Sequence, residues 1–345
     1  RNTSGPPIRM DSSATATSAS DPSQEHVTNK ADALDLEQIK KELPIDNETK
    51  WPKKVREMHS HHFDSTVWED FKFRNDDIVI ATYAKSGTTW MQQIIGQLIF
   101  NGDPSVENGL SPWVDLRVPP KDVKLSALEA QEHRRFVKTH LPVDALVFSP
   151  KAKYVFVARD GRDVAWSLHN HHITANDAWY DVLNKTPGLV GPPISEPIED
   201  KREYFRQWFE KDGYPFWSFW ENISSWWAIR HLPNVMLVHF NDLKTDLEGE
   251  IKRIASFLEI EIDETKIDDI LIHCSFLWMR ENGEKTAPLG GSFWENGAKS
   301  FIHKGTNNRW SDTLTTEDCR EYEDTARAKL GEECADWLAN GGRID

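Results

Sequence analysis

Cysteine is scarce in this 345-residue sequence, and long apolar runs are missing. The three cysteines, Cys274, Cys319 and Cys334, are odd in number and far apart, which fits neither a disulfide framework nor a zinc site of the CxxC kind. No run approaches the roughly 18 apolar residues that a membrane-spanning helix needs. Clustered carboxylates that would hold a metal are also missing. We therefore predict a soluble, cytoplasmic protein with no membrane span and no metal.

Positive charge is in short supply as well. Lysine and arginine number 41 against 56 aspartates and glutamates, so the formal net charge is −15. Binding to duplex nucleic acid depends on cations that neutralise phosphates, so this balance argues against a nucleic-acid partner. Any anion that the protein binds must lie in a locally basic pocket.

Residues 1–45 are rich in Ser, Thr, Ala, Asp and Pro and have no hydrophobic periodicity. This composition predicts a flexible leader. A remnant of a transit peptide and residues added to the natural chain both stay open for this segment. We expect one folded domain over residues 46–345.

From Trp51 onward, short apolar runs alternate with helical periods, which is typical of an α/β domain with a parallel sheet. The patterns predict strands and helices in alternation, and two surface loops at 186–197 and 282–297, where Pro and Gly accumulate. The predicted strands are Ile78–Thr82, Arg135–Lys138, Tyr154–Ala158 and Val235–Val238, and the predicted helices are Thr88–Phe100, Arg162–His171 and Leu247–Leu258. Seven tryptophans fall between positions 166 and 227. They are interpreted chiefly as core residues, with pocket walls as the alternative.

The segment 78–100 has the order strand, glycine-containing turn, helix, which suits phosphate binding. Gly87 lets the backbone approach an anion, Lys85 adds a charge, and Thr88 and Thr89 add hydroxyls. The turn is not a Walker A sequence, because the lysine precedes the glycine. On this segment alone a generic tight turn and a nucleoside-triphosphatase or kinase both stay open.

Further motifs narrow the choice. The segment Tyr83–Trp90 resembles the 5′-phosphosulfate loop of cytosolic-type sulfotransferases, and Lys138–Pro142 resembles the segment with their catalytic base. The segment Val157–Ser167 resembles their 3′-phosphate strand–loop–helix. Matches at Trp220–Trp227, His273–Phe276 and Lys304–Gly305 complete the series, so the resemblance covers about residues 52 to 335.

The resemblance implies a P-loop-like, three-layer α/β fold with a central parallel sheet flanked by helices. It implies transfer of a sulfuryl group from 3′-phosphoadenosine 5′-phosphosulfate (PAPS) to a small acceptor alcohol, phenol or amine, with PAP as the second product. His140 would be the general base, and Lys85 and Lys138 the catalytic cations. The nucleotide-binding residues would be Lys85, Ser86, Gly87, Thr88, Thr89, Trp90, Arg159, Ser167, Phe240, Cys274, Phe276, His303, Lys304 and Gly305.

The residue types suit these roles. An imidazole with a pKa of about 6.5 can take the proton of an acceptor hydroxyl. Arg159 and Ser167 can meet at one phosphate if the helix folds back over the strand end, although an ion pair of Arg159 with Asp160 or Asp163 is the plain alternative. Trp90 and Phe276 would stack on the adenine, and the acceptor pocket would lie under the loops near 110–125, 172–215 and 282–300.

Several positions depart from the family pattern. Phe240 replaces a common tyrosine, His303 replaces an arginine, and Ala84 replaces a proline. The segment Asn307–Trp310 stands where Gly-Asp-Trp is usual. A short C-terminal dimer motif is not met, because Ser311, Thr316 and Arg320 replace its residues, so the oligomeric state stays open. A nucleotide-binding relative without catalytic activity is therefore the second alternative.

Overall fold

A computed structural model of the chain describes residues 50–344. Its centre is a sheet of four parallel strands in the order β2-β1-β3-β4. The strands are β1 (Ile78–Thr82), β2 (Phe136–Thr139), β3 (Lys153–Ala158) and β4 (Val235–His239). The predicted strands are confirmed to within one residue at each end. The predicted leader lies outside the described residues and stays a prediction.

The sheet is buried on both faces, as near-continuous runs of Val, Ile and Phe require of parallel strands. Alternate residues of a strand point to opposite faces. Ile78 and Ile80 therefore pack with the helices on one side, and Val79 and Ala81 with an aromatic-rich layer on the other. The predicted three-layer α/β fold with a central parallel sheet flanked by helices is confirmed.

Helices connect and cover the strands. The α-helices are α1 (Thr88–Ile99), α2 (Lys121–Glu129), α3 (Gly161–Ile173), α4 (Asp177–Lys185), α5 (Lys201–Glu210), α6 (Phe219–Ala228), α7 (Phe240–Thr245), α8 (Leu247–Leu258), α9 (Ile267–His273), α10 (Phe276–Glu281), α11 (Gly283–Thr286), α12 (Ala298–Phe301), α13 (Thr316–Leu330) and α14 (Glu332–Asn340). Short 3₁₀ turns are Ser65–Glu69, Asn108–Leu110, Val143–Ala145 and Pro288–Gly291. Within residues 50–344, none of these helices has both the length and the apolar character to cross a bilayer.

One predicted loop is wrong and one is confirmed. Segment 186–197 has no helix or strand and is mostly exposed, as expected. Segment 282–297 is instead a compact series of helical turns, with Thr286 and Trp294 buried. Its glycines suggested an open loop, but Gly290 and Gly291 adopt positive φ and close turns between short helices.

The seven clustered tryptophans are all buried, which confirms their interpretation as core residues. Most belong to α3, α5 and α6, the layer that covers one face of the sheet. Trp179 and Trp217 in addition line a cavity, so the pocket-wall alternative holds for these two.

A buried ion pair fixes the start of the sheet. The Arg135 side chain is 0% exposed and the Asp77 side chain 1%. Arg135 Nε and Nη2 donate to the two Asp77 oxygens at 2.8 and 2.6 Å, and Nη2 also donates to the Lys72 carbonyl at 2.7 Å. The pair joins the residues that precede β1 and β2.

We predict that Asp77→Asn lowers the free energy of unfolding by up to about 3–5 kcal/mol, because it leaves the buried Arg135 charge with Glu129, 3.4 Å from Nη1 and half exposed, as its remaining carboxylate partner. Urea unfolding of the variant and the wild type measures the loss. Asp76→Asn is the matched control, since Asp76 is the exposed neighbour. Equal losses of unfolding free energy in the two variants would show that the buried ion pair adds no more stability than an exposed aspartate does.

Candidate functional site

A cavity of about 780 Å³ lies at the carboxyl ends of the parallel strands. Each strand contributes a lining residue from the segment that follows or ends it: Lys85 after β1, His140 after β2, Arg159 after β3 and Phe240 after β4. This is the edge at which open α/β sheets bind their ligands.

The cavity is strongly cationic although the chain is acidic. Among the described residues that line it there is no aspartate or glutamate. The lining lysines and arginines are Lys85, Lys124, Lys138, Arg159, Lys244, Lys304 and Arg309. The arrangement attracts an anion and disfavours a cationic ligand.

The turn between β1 and α1 is built for close approach of an anion. Lys85 and Gly87 have φ of 62° and 110°. A Cβ on Gly87 would lie 3.2 Å from the Phe240 ring and 3.3 Å from Val157. A larger residue would therefore be strained both by the positive φ and by these close contacts. The first amides of α1 have no carbonyl within the helix to bond and, with Lys85, form an anion site at the helix N-terminus.

Lys85 and Lys138 contact aromatic rings. Lys85 Nζ lies 4.1 Å from the centroid of the Phe301 ring, and Lys138 Nζ lies 5.1 Å from that of Trp113. Neither ammonium has a carboxylate partner among residues 50–344. Burial and the nearby charges of Arg159 and Lys138 lower the pKa of Lys85 to about 7, and burial lowers that of Lys138 to about 8.

His140 is held in one tautomer. Its Nδ1 lies 2.8 Å from the Thr82 carbonyl oxygen. Because a carbonyl only accepts hydrogen bonds, Nδ1 must carry the proton, and Nε2 keeps a free lone pair. The ring stacks on Trp217 at 5.5 Å and meets the edge of Trp113 at 4.5 Å. Burial, followed by the charge of Lys138, lowers the pKa of His140 to about 3, so its imidazole is neutral near pH 7.

Asp115 fixes these aromatic neighbours from behind. Its carboxylate accepts hydrogen bonds from the indole nitrogens of Trp68 and Trp113 at 2.9 and 2.6 Å and from the His140 amide at 3.2 Å. Burial raises the pKa of Asp115. Asp115 is therefore a positioning residue for the ring that faces the cavity.

Arg159 is not paired with Asp160 or Asp163, so the plain alternative for it is wrong. Its Nη1 donates to the Lys85 carbonyl at 3.1 Å, its Nε donates to Asn307 Oδ1 at 2.9 Å, and its guanidinium lies 4.1 Å from the centroid of the Phe240 ring. Ser167 also lines the cavity from α3. The structure thus brings Arg159, Ser167 and Phe240 to one region, as the sequence predicted.

Trp90 and Phe276 line the same region, and their rings do not contact each other. Trp90 Nε1 donates to the Cys274 carbonyl at 2.8 Å. The Phe276 ring is 38% exposed and covers Gly305, where a Cβ would lie 2.6 Å from that ring. Their stacking on the adenine stays a prediction.

Most of the predicted binding residues line this one cavity. Two do not: the Ser86 side chain is buried in the turn, where its hydroxyl lies 3.4 Å from the Ala84 carbonyl, and the Cys274 thiol is buried in the core between α1 and α9. Ser86 could contact a ligand only through its backbone amide. The Cys274 carbonyl accepts the hydrogen bond from the Trp90 indole. Their roles in nucleotide binding stay predictions.

The lining residues that sequence reasoning missed include four with basic side chains: His62, His171, Lys244 and Arg309. His171 lies four residues after Ser167, so helical periodicity could have placed it on the same face of α3. Its Nδ1 is buried without a hydrogen-bond partner among the described residues. In the sequence, Arg309 stands out only because it belongs to the segment Asn307–Trp310, which departs from the family pattern.

The far end of the cavity is aromatic and apolar. The predicted roof segments 110–125, 172–215 and 282–300 all contribute to it. Its ring-bearing walls are Trp113, Trp179, Phe216, Trp217, Phe293 and Trp294. The lining residues at the strand ends are thus largely cationic, and we call them the cationic half; those of the roof segments are mostly aromatic or apolar, with Lys124 the exception, and form the aromatic half. Within residues 50–344 no group of three or more His, Cys, Asp or Glu side chains is arranged to hold a metal ion.

Comparison with known proteins gives one family. The family model described as "Sulfotransferase domain" matches residues 75–333. A glycolipid sulfotransferase of Mycobacterium bovis is 29% identical over 283 residues, which cover 75% of this chain and 86% of the relative. Sulfotransferase 1B1 of Mus musculus is 27% identical over 302 residues, 82% of this chain and 94% of the relative.

Solved structures show the same fold at lower identity. Retinol dehydratase in a complex with retinol and PAP has a TM-score of 0.61 and 24% identity, over 77% of this chain and 84% of that chain. Mouse sulfotransferase SULT7A1 complexed with PAP has a TM-score of 0.59 and 21% identity, over 79% and 91%. These matches agree with the parallel sheet and its flanking helices.

Proposed function

Because the chain belongs to the sulfotransferase family, we propose that it transfers the sulfuryl group of PAPS to a hydroxyl group on a neutral, largely apolar acceptor. The observation that carries this proposal is a base of fixed tautomer, His140, between the two halves of one cavity. The cationic half suits the nucleotide anion, and the aromatic half suits the acceptor. No metal takes part in the proposed reaction.

His140 removes the acceptor proton. The Thr82 carbonyl occupies Nδ1–H, so Nε2 is the nitrogen that receives the proton. A ligand-free pKa of about 3 leaves Nε2 ready to accept at pH 7, although it makes the imidazole a weak base on its own. Negative charge from the donor beside the ring favours imidazolium and thus strengthens the base when the nucleotide is bound.

Lys85, Lys138 and the first amides of α1 stabilise the charge that develops on the oxygens. As the acceptor oxygen bonds to sulfur, the sulfur–oxygen bond to the 5′-phosphate breaks and its electron pair stays on that phosphate. The acceptor proton ends on His140, so the products are the sulfated acceptor and PAP. Such a transfer needs alignment and charge stabilisation more than covalent catalysis.

The acceptor half supports a neutral hydroxyl compound. Its walls are mostly aromatic, and no lining carboxylate is present among the described residues to pair with an ammonium group. Of the acceptor types open from sequence, alcohols and phenols therefore fit better than amines. Relatives of this fold are named with retinol and androsterone, which are flat, apolar alcohols.

The two rival functions lose support at the same cavity. A kinase would need carboxylates to hold Mg²⁺ near the phosphates, and the described lining offers none. A relative without catalytic activity would have no use for a base of fixed tautomer beside two uncompensated lysines.

The test is transfer of label from radiolabelled PAPS to a matched pair of phenols. We predict that 4-ethylphenol is a better acceptor than tyramine by about tenfold or more in kcat/KM, because the ammonium group of tyramine would lose hydration in the aromatic half, where the described lining offers no carboxylate partner. The two compounds share one ring and differ in the ammonium group. Equal values would remove the neutral-acceptor assignment, and no transfer to any phenol or alcohol would remove the proposed function.

His140→Ala should reduce kcat by about 10²–10⁴-fold, the usual worth of a general base, and leave PAP affinity within a few-fold of wild type. Steady-state assays and calorimetry with PAP measure the two effects. His231→Ala is the control, since His231 is exposed and outside the cavity lining. A variant that keeps more than about a tenth of kcat contradicts the role of His140 as the base.

The lysine pKa values predict the pH dependence of donor capture. A lysine is charged below its pKa, so Lys85 and then Lys138 lose charge as the pH rises past about 7 and 8. Because kcat/KM reports the free enzyme, its value for PAPS should fall about 50-fold or more from pH 7 to pH 9, as the charged fraction of Lys85 drops from about a half to about a hundredth.

In Lys85→Arg the guanidinium stays charged, so the fall above pH 7 should become shallower, whatever the absolute activity. Profiles of kcat/KM for PAPS at fixed ionic strength measure both enzymes. A wild-type profile that is flat to pH 9 would show that Lys85 keeps its charge in the free enzyme.

A further inference from the structure

Arg309 has no role in the reaction described so far, yet it lies at the nucleotide half of the cavity. It is partly buried and lines that cavity. Its guanidinium makes no hydrogen bond and no ion pair with any residue in the described part of the chain. Burial lowers the pKa of Arg309, and the charge of Asp163 offsets this only in part, so an anionic ligand would supply the direct partner that the guanidinium lacks.

The backbone around Arg309 is fixed on both sides. Asn308 has a φ of 62°, and its amide donates to Asp163 Oδ1 at 2.7 Å. The Trp310 indole nitrogen donates to the same oxygen at 3.0 Å. Asn307 Oδ1 accepts from Arg159 at 2.9 Å. Asp163 thus holds the turn in place through residues 308 and 310, and the Arg309 side chain between them faces the cavity.

The neighbours of Arg309 are themselves cationic. After burial, its charge is the largest influence that lowers the pKa of His303, and it also lowers the pKa values of Arg159 and Lys85. His303 therefore tends to be neutral near pH 7 in the ligand-free protein. The position at which the family commonly has an arginine has no permanent charge here, and Arg309 brings one to the same region.

We propose that Arg309 binds the 3′-phosphate of the donor nucleotide, together with Arg159 and Lys304, and so replaces the cation that position 303 lacks. The inference rests on the proposed use of PAPS. A guanidinium suits this role because its charge is permanent and its paired N–H groups match two phosphate oxygens. The 3′-phosphate is favoured over the 5′ end because Arg309 lies in the turn whose Asn307 accepts a hydrogen bond from Arg159, and it lines the cavity together with His303 and Lys304.

The test compares two nucleotides by calorimetry at 0.15 M salt: PAP, and adenosine 5′-monophosphate, which lacks the 3′-phosphate. Arg309→Gln should weaken PAP binding by about 10- to 100-fold, the usual effect of losing a charge-assisted hydrogen bond. Binding of adenosine 5′-monophosphate should change less than about threefold, since that ligand has no group at this position. Retained binding of the monophosphate also shows that the variant is folded.

Arg280→Gln is the matched control. Arg280 is exposed, does not line the cavity, and is near enough to His303 to influence its pKa. Its removal takes one positive charge from the neighbourhood without touching the phosphate, so PAP affinity should stay within about twofold of wild type at this ionic strength. Equal losses of PAP affinity in the Arg280 and Arg309 variants would show that Arg309 acts only by long-range electrostatic attraction, and would overturn the inference.

The inference also fails if Arg309→Gln binds PAP as wild type does, or loses affinity for both nucleotides alike. Failure of the proposed function looks different. In that case the wild type itself binds PAP no better than adenosine 5′-monophosphate, before any variant is compared.

Discussion

The structure depends on gathering positive charge around one cavity without direct acidic partners. Seven lysines and arginines line a cavity from which, within the described residues, aspartate and glutamate are absent, in a chain of net charge −15. Loss of hydration lowers the pKa values of Lys85 and Lys138, and the nearby charges of Arg159 and Lys138 lower that of Lys85 further. The fold must supply the cost of this arrangement, and an anionic nucleotide relieves it on binding.

The acidic residues nearest the cavity position other groups and, within residues 50–344, form no direct ion pair with the lysines and arginines that line it. Asp115 accepts hydrogen bonds from two indoles and the His140 amide, and Asp163 holds residues 308 and 310. Asp160 is paired with Arg162 at 2.9 Å, outside the cavity lining. Each carboxylate thus positions a segment of backbone or a ring from outside the cavity lining. The cations stay available to ligand because the anions are occupied elsewhere.

Sequence predicted the parts of the site that depend on local pattern. The order of β1, turn and α1 follows from the hydrophobic period and one glycine, whereas the choice of Arg159 and Ser167 follows from the resemblance of Val157–Ser167 to a motif of the family. Arg309 could not be predicted, because its direction depends on the left-handed Asn308 and on an Asp163 carboxylate 145 residues away in sequence. The turns at 282–297 were missed for a related reason: glycines with positive φ close compact turns as readily as they open loops.

The division of the cavity has a consequence for catalysis. PAPS and PAP carry the same 3′-phosphate, so the cations proposed to bind it hold donor and product with similar strength. Such contacts raise the affinity for the nucleotide but do not accelerate the transfer step. In the proposed reaction, acceleration of the transfer step comes from groups whose contacts change as the sulfuryl group is transferred. These groups are His140, Lys85 and Lys138. These three follow β1 or lie on and after β2, adjacent strands in the sheet, whereas Arg159 and Arg309 belong to segments beyond β3. In the proposed reaction, the residues assigned to the 3′-phosphate thus follow β3, whereas those assigned to the transferred group lie at the ends of β1 and β2.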